Sequence, residues 1–277
     1  MSFSINTNVG ALTANFNSSS ASSAMDRGLS ALSNGSALNS TSFNAAGLAI
    51  ANEMSAQVQG MGQGIMNSND SIGMIQIADG AMQGMNENLE RIRTLTLQAS
   101  NGTMSSGDRE IIQKEIDSLL ESNNDIAKTT SYNGINLLDG TGGSNSDGVF
   151  TTQSGADTGN NISFKIDDVT MDSLLSSVDV TTQAGRDAAL GDIDSAMQVI
   201  SEVSSELGAS QNAHMSSIRN TSVGRINVAS AESQIRDIDF AKESMNFSQQ
   251  NIMSQIGSFA QSQANASQAN VLNLFQS

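Results

Sequence analysis

No proline occurs anywhere in this 277-residue chain, and that absence constrains the fold more than any other feature. Average usage would place about 14 in a chain of this length. Proline inside a helix removes a hydrogen bond and clashes with the preceding turn, a cost of about 3 kcal/mol. Long, uninterrupted helices are the simplest structure that excludes it. Aromatic residues are only 4% and tryptophan is absent, whereas methionine occurs 14 times. That supply suits thin seams between helices better than a thick globular core. Without cysteine there is no disulfide, thiolate nucleophile or cysteine-ligated metal. A net charge of −16 opposes nucleic-acid binding, which needs a basic surface.

The charges are unevenly placed. Residues 1–69 carry only Asp26, Arg27 and Glu53, and residues 244–277 carry none. At the chain average of 14% charged residues, that last stretch would hold about five. A water-facing helix normally sets a charged stripe against its apolar one. Here Ser, Asn, Gln and Ala replace the charges, a surface suited to neighbours of its own kind. Ile235, Ile238, Met245, Ile252, Ile256 and Phe259 follow a 3,4 repeat, interrupted only at Lys242 and Gln249. Such regular spacing argues for a self-assembly seam rather than a shapeless tail.

Read along the chain, residues 4–33 form a Ser/Ala/Asn helix ended by Asn34-Gly35. A much longer helix runs from about Phe43 to Ser100, roughly 85 Å at 1.5 Å per residue. Its seam holds Met54, Val58, Met61, Ile65, Ile72, Ile75, Met82, Met85, Leu89, Ile92 and Leu95. Gly60, Gly62, Gly64, Gly73, Gly80 and Gly84 inside it read as packing glycines, because no strand precedes them to make a phosphate loop. Asn101-Gly102 stops the helix, and Ser105 to Asp108 forms a capping box for the next, near 106–129. Residues 141–185 turn rich in Gly, Ser, Thr and Asp, with strand-like pieces at Val149–Thr152 and Ile162–Ile166. They read as a small surface insert. Helical periodicity returns at Leu190 and continues to Arg236, before the terminal helix.

The fold class is therefore mainly α. A long antiparallel helical bundle or coiled coil is expected from the N- and C-terminal segments, with a small β-containing insert between them. The division runs 1–44 with 236–277, 45–140 with 186–235, and 141–185. No enzyme is indicated: the one histidine, His214, has no second His or Cys for a metal site or triad. No cofactor is called for, no stretch of about 20 apolar residues could span a bilayer, and no basic leader resembles a cleaved signal peptide.

Several ordered motifs resemble the bacterial flagellin family. These are Ile5 to Asn8, Ala45-Ala46-Gly47-Leu48-Ala49-Ile50-Ala51, and the run LERIRTLTLQASNGT over residues 89–103. Tyr132-Asn133-Gly134, the run SQIRDIDFA over 233–241, and the ending from Gln263 to Leu274 continue the match. The chain departs from the family before Ala45, where the usual Arg and paired Asp are missing, and near its end, where the usual Pro is absent. The resemblance implies a secreted, extracellular structural subunit that polymerises into the flagellar filament for motility. It implies type III flagellar export, a chaperone at the C-terminal helix, and hook-associated and cap proteins as partners. It extends the assembly seam to Leu272 and Leu274, and carries an animal toll-like receptor contact onto Arg91, Leu95 and Glu115. A hook–filament junction protein of the same superfamily, or a non-flagellar coiled-coil signalling rod, are the alternative readings.

Overall fold

A computed structural model describes residues 7–38, 41–143, 145–175 and 178–276, with side chains described for all but 41–43 and 271–276. The order is α1 (Val9–Asn34), α2 (Thr41–Ala99), α3 (Ser106–Thr129), β1 (Ser131–Tyr132), β2 (Ile135–Asn136), β3 (Val149–Gln153), β4 (Asn161–Lys165), α4 (Met171–Leu174), α5 (Gln183–Arg236) and α6 (Phe240–Gln276). The mainly helical class holds. Two compact units emerge, residues 1–56 with 228–277, and residues 57–227.

In the first unit α1 and α6 pair antiparallel. Asn8 caps α1 by accepting from the Ala11 N–H, and Gly35 ends it in the left-handed conformation at φ 67°. The long helix α2 does not begin at Phe43. Asn44 is extended (φ −157°, ψ 83°), and its side chain accepts from the Gly47 N–H at 2.8 Å, capping the helix that follows. The preceding helix ends at Arg236, as its periodicity indicated, and a short break separates it from α6. Asp237 bridges to Ser36, and Asp239 accepts from the N–H groups of Ala241 and Lys242 at the start of α6.

The second unit has its own core. Ile75, Met82, Met85, Leu89, Ile92 and Leu95 of α2 meet Ile112 and Ile116 of α3 and Ile193, Ile200 and Leu207 of α5. The capping box at Ser105 and Asp108 forms as its spacing requires. Asn123 is fully buried, accepts from Asn88 at 2.7 Å and donates to the Met85 carbonyl at 3.2 Å, so the α2–α3 register is fixed by a satisfied polar group.

The segment expected as a surface insert is packed into this core. Phe150 and Phe164 stack across the β3–β4 hairpin at 5.3 Å, and Ile166, Val169, Met171, Leu175, Val178 and Val180 are buried. Ser71 and Thr152 share a buried hydrogen bond of 2.6 Å, and Asn67 donates to the Gln153 carbonyl at 3.1 Å. The hairpin loop enters a notch cut by glycine. A methyl added at Gly64 would lie 2.6 Å from the Ser154 carbonyl, and one at Gly60 2.9 Å from the Ala156 methyl. Gly73, Gly80 and Gly84 face open space. Short Gly and Thr residues lower the hydropathy of residues 141–185, which is why the burial is hidden in the sequence.

His214 is fully buried, edge-on to Phe164 at 6.0 Å, and neither ring nitrogen has a hydrogen-bond partner. Burial pushes its pKa below the ordinary 6.5. Below that ordinary value the unfolded chain binds the extra proton. The stability owed to the neutral ring is therefore complete above about pH 6.5 and is lost as pH falls through the lowered value. Asp108, Asp172 and Asp179 are held below the carboxylate range by side-chain hydrogen bonds from Ser105, Lys128 and Thr181. Their contributions drain only below about pH 4.

Two predictions follow from this core. Gly73→Ala should raise the melting temperature of monomer, by about 1 kcal/mol of helix propensity, while Gly64→Ala should lower it because backbone cannot give way. Equal shifts in both variants would refute the notch. Calorimetry between pH 7 and pH 5 should show a falling melting temperature that His214→Leu flattens. An unchanged slope in that variant would exclude the histidine as its source.

Candidate functional site

The described residues offer no cluster of three or more His, Asp or Glu that could hold a metal, and no helix long and apolar enough to cross a membrane. What the first unit offers is surface. Residues two apart on an α-helix point about 200° apart, so two heptad stripes offset by two positions lie back to back. Both α1 and α6 carry such a pair.

The inward stripe is small or polar, with Phe247 its one large apolar member. On α1 it runs through Ala14, Ala21 and Gly28, all buried. On α6 it runs through Phe247, Gln250, Ser254, Gly257, Gln261 and Ala264, each partly or fully covered. The backbones come close: a methyl at Gly257 would lie 2.8 Å from the Ser18 Cβ, and one at Gly10 3.7 Å from the Ala264 methyl. Asn8 donates to the Ala264 carbonyl at 3.1 Å, tying the start of α1 to the far part of α6.

The outward stripe is apolar. Met245, Ile252, Ile256 and Phe259 are exposed, from 56% at Ile256 to 73% at Phe259. These are seam positions expected from the sequence; Ile252, Ile256 and Phe259 each lie two residues beyond an inward position. Opposite them on the helix pair, α1 turns out Val9, Leu12 and Phe16, exposed by 61–73%. Sequence reasoning missed the α1 stripe, although its 3,4 spacing was there to find. Ile235 and Ile238 do not join the α6 face. Both are half-buried, Ile235 sits on α5 before the break, and Ile238 lines a cleft with Ala31, Ala37 and Phe247. Leu272 and Leu274 lie outside the residues whose side chains are described.

In the second unit Arg91 donates to Glu115 at 2.8 Å, an exposed ion pair between α2 and α3. Exposed pairs of this kind contribute about 0–1 kcal/mol, so the fold does not depend on it. Leu95, which the resemblance put beside them and its spacing put in the α2 seam, is a core residue at 2% exposure. Its place in the apolar stripe of α2 turns it inward while Arg91, one turn earlier, reaches out. The exposed apolar neighbour is Ile111, one turn before Glu115 on α3.

Residues 5–142 match the bacterial flagellin N-terminal helical region, and residues 190–275 the bacterial flagellin C-terminal helical region. The chain is 35% identical to a flagellin of Halalkalibacterium halodurans, covering 98% of this chain and 99% of that one. It is 36% identical to a flagellin of Bacillus subtilis at the same coverage of both. The crystal structure of Bacillus cereus flagellin superposes with a TM-score of 0.50 at 25% identity, covering 56% of this chain and 88% of that chain.

Proposed function

The chain belongs to the bacterial flagellin family and is a structural subunit of the extracellular flagellar filament, formed by polymerisation with its own copies; from that premise we propose that the outward stripes of α1 and α6 are the contacts that build it. It is a structural protein of motility, not an enzyme. The observation that carries the proposal is the row Met245, Ile252, Ile256 and Phe259, apolar yet more than half exposed in a segment without charge. The resemblance to the family adds Leu272 and Leu274 to the proposed assembly contacts.

The energetics favour growth over pairing. Burying a large apolar side chain contributes about 1.5–3 kcal/mol, so each partly exposed face offers on the order of 3–7 kcal/mol. Association costs about 4–15 kcal/mol in lost freedom. One face alone is marginal, whereas a subunit engaging both faces at a filament end gains enough to stay. The α1 and α6 stripes differ, so the contact is heterologous and open-ended, and produces a helical polymer.

In this reading residues 1–44 with 236–277 form the filament's inner layer. Residues 45–140 with 186–235 form the outer bundle, and 141–185 the variable segment, its variation falling on positions outside the buried set from Phe150 to Val180. Export unfolded through the flagellar type III pathway belongs to the same proposal. A chaperone would cover the C-terminal helix, whose apolar face needs shelter before assembly, and hook-associated and cap proteins would meet the subunit afterwards. An animal toll-like receptor would read the exposed Arg91–Glu115 pair, with Ile111 supplying the apolar contact and Leu95 supporting from beneath.

Ile256→Asp should leave the melting of the second unit unchanged and raise the critical concentration for seeded polymerisation at least tenfold, because an unpaired charge would be buried at every copy. Normal filaments from this variant would sink the proposal. In a receptor-reporter cell assay, Arg91→Ala monomer should require at least a tenfold higher dose than wild type. Silence toward wild-type monomer, or an undiminished response to the variant, would remove the receptor reading and leave the filament intact.

A further inference from the structure

We propose that Met245 and Met253 are oxidation sites that make the assembly face of α6 sensitive to peroxide. The inference rests on that face being a filament contact. With no cysteine among the 277 residues, the thioethers of its methionines are the sulfur that a peroxide meets. Their exposure divides them. Met74, Met82, Met85 and Met171 are buried in the second unit and shielded. Met66, Met215, Met245 and Met253 are exposed. Met66 and Met215 lie on α2 and α5, apart from the α6 stripe. Met245 and Met253, at 67% and 52%, share one shallow groove with Ile252 on α6, next to Ile256 one turn on.

The chemistry is a two-electron oxygen transfer from hydrogen peroxide. The sulfur lone pair attacks one peroxide oxygen, and the S–O bond forms as the O–O bond breaks. The proton on the transferred oxygen passes to the departing hydroxide. Sulfur is oxidised to the sulfoxide, and the peroxide is reduced to water. An apolar, flexible side chain thereby becomes a strong hydrogen-bond acceptor. Between copies, the sulfoxide puts a bulkier, strongly hydrated group beside Ile252, and the groove's donors, Ser244, Ser248 and Gln249, replace its lost water only in part while the apolar fit of Ile252, Ile256 and Phe259 is spoiled. The monomer is the vulnerable species. Once a subunit is incorporated, its neighbours cover both sulfurs, so peroxide stops growth without dissolving filament already made.

The test treats full-length monomer with hydrogen peroxide, locates sulfoxides by peptide mass spectrometry, and compares seeded elongation before and after treatment. Elongation should fall at least tenfold once Met245 and Met253 are oxidised, and recover after incubation with methionine sulfoxide reductase. In the Met245→Leu/Met253→Leu variant the treated rate should stay within twofold of that variant's own untreated rate. Met66→Leu/Met215→Leu should give no such protection. In preformed filaments Met245 and Met253 should oxidise at least tenfold more slowly than in monomer. Unimpaired elongation with both sulfoxides fully formed, or equal loss in the Met245→Leu/Met253→Leu variant, would overturn the inference. If Ile256→Asp blocks elongation while oxidised wild type elongates normally, only this inference falls. If Ile256→Asp elongates normally, the face itself is not a contact.

Discussion

Close contact between the small residues of α1 and α6 determines what the rest of the first unit can do. At Gly257 and Ser18 the two helices leave no room for even a methyl group, and Ala14, Ala21 and Gly28 complete the dry strip on α1. Apart from Phe247 beside Gly28, the contact has little room for large side chains, and most of them stand on the opposite faces. The pair is therefore held together by backbone proximity and dispersion, while its hydrophobic surface is left for others. A larger apolar interface inside the pair would have made a more self-sufficient unit and a poorer building block.

The second unit solves the opposite problem. Its seam side chains Ile75, Met82, Met85, Leu89, Ile92 and Leu95 on α2 are turned inward, and its hairpin is drawn onto α2 through the notch at Gly60 and Gly64. Most of the chain's negative charge falls in residues 70–243, where it keeps the outside wet and soluble. Burial inside the second unit and exposure on the first are two uses of one seven-residue periodicity. Which use applies depends on whether the stripe facing the partner helix is large or small.

That contrast also explains what could be read from the sequence. The missing prolines foretold the long helices, and Ser105 with Asp108 marked the start of α3 to the residue. The apolar row of α6 was legible because Ile and Phe carry a strong hydropathy signal. The Ala, Ser and Gly row behind it carries almost none, so the direction in which the apolar row points was not. The breaks at Asn44 and at Asp237–Asp239 lack proline and glycine, and depend on Asn and Asp side chains capping from outside the helix. Leu95 carried two readings, a seam position by its spacing and an outer contact by family resemblance, and its burial bears out the first. Sitting one turn from Arg91 suggests a shared face, but burial diverges within one turn at the edge of a packed stripe.

The account turns on the two rows of each terminal helix having opposite roles, and a filament reconstruction resolving side chains tests that directly. It should show Gly257 against Ser18 within one subunit, with Ile252, Ile256 and Phe259 covered by a neighbouring copy. Finding Ile252, Ile256 and Phe259 packed on α1 of the same subunit, or left facing water in the assembled filament, would contradict it.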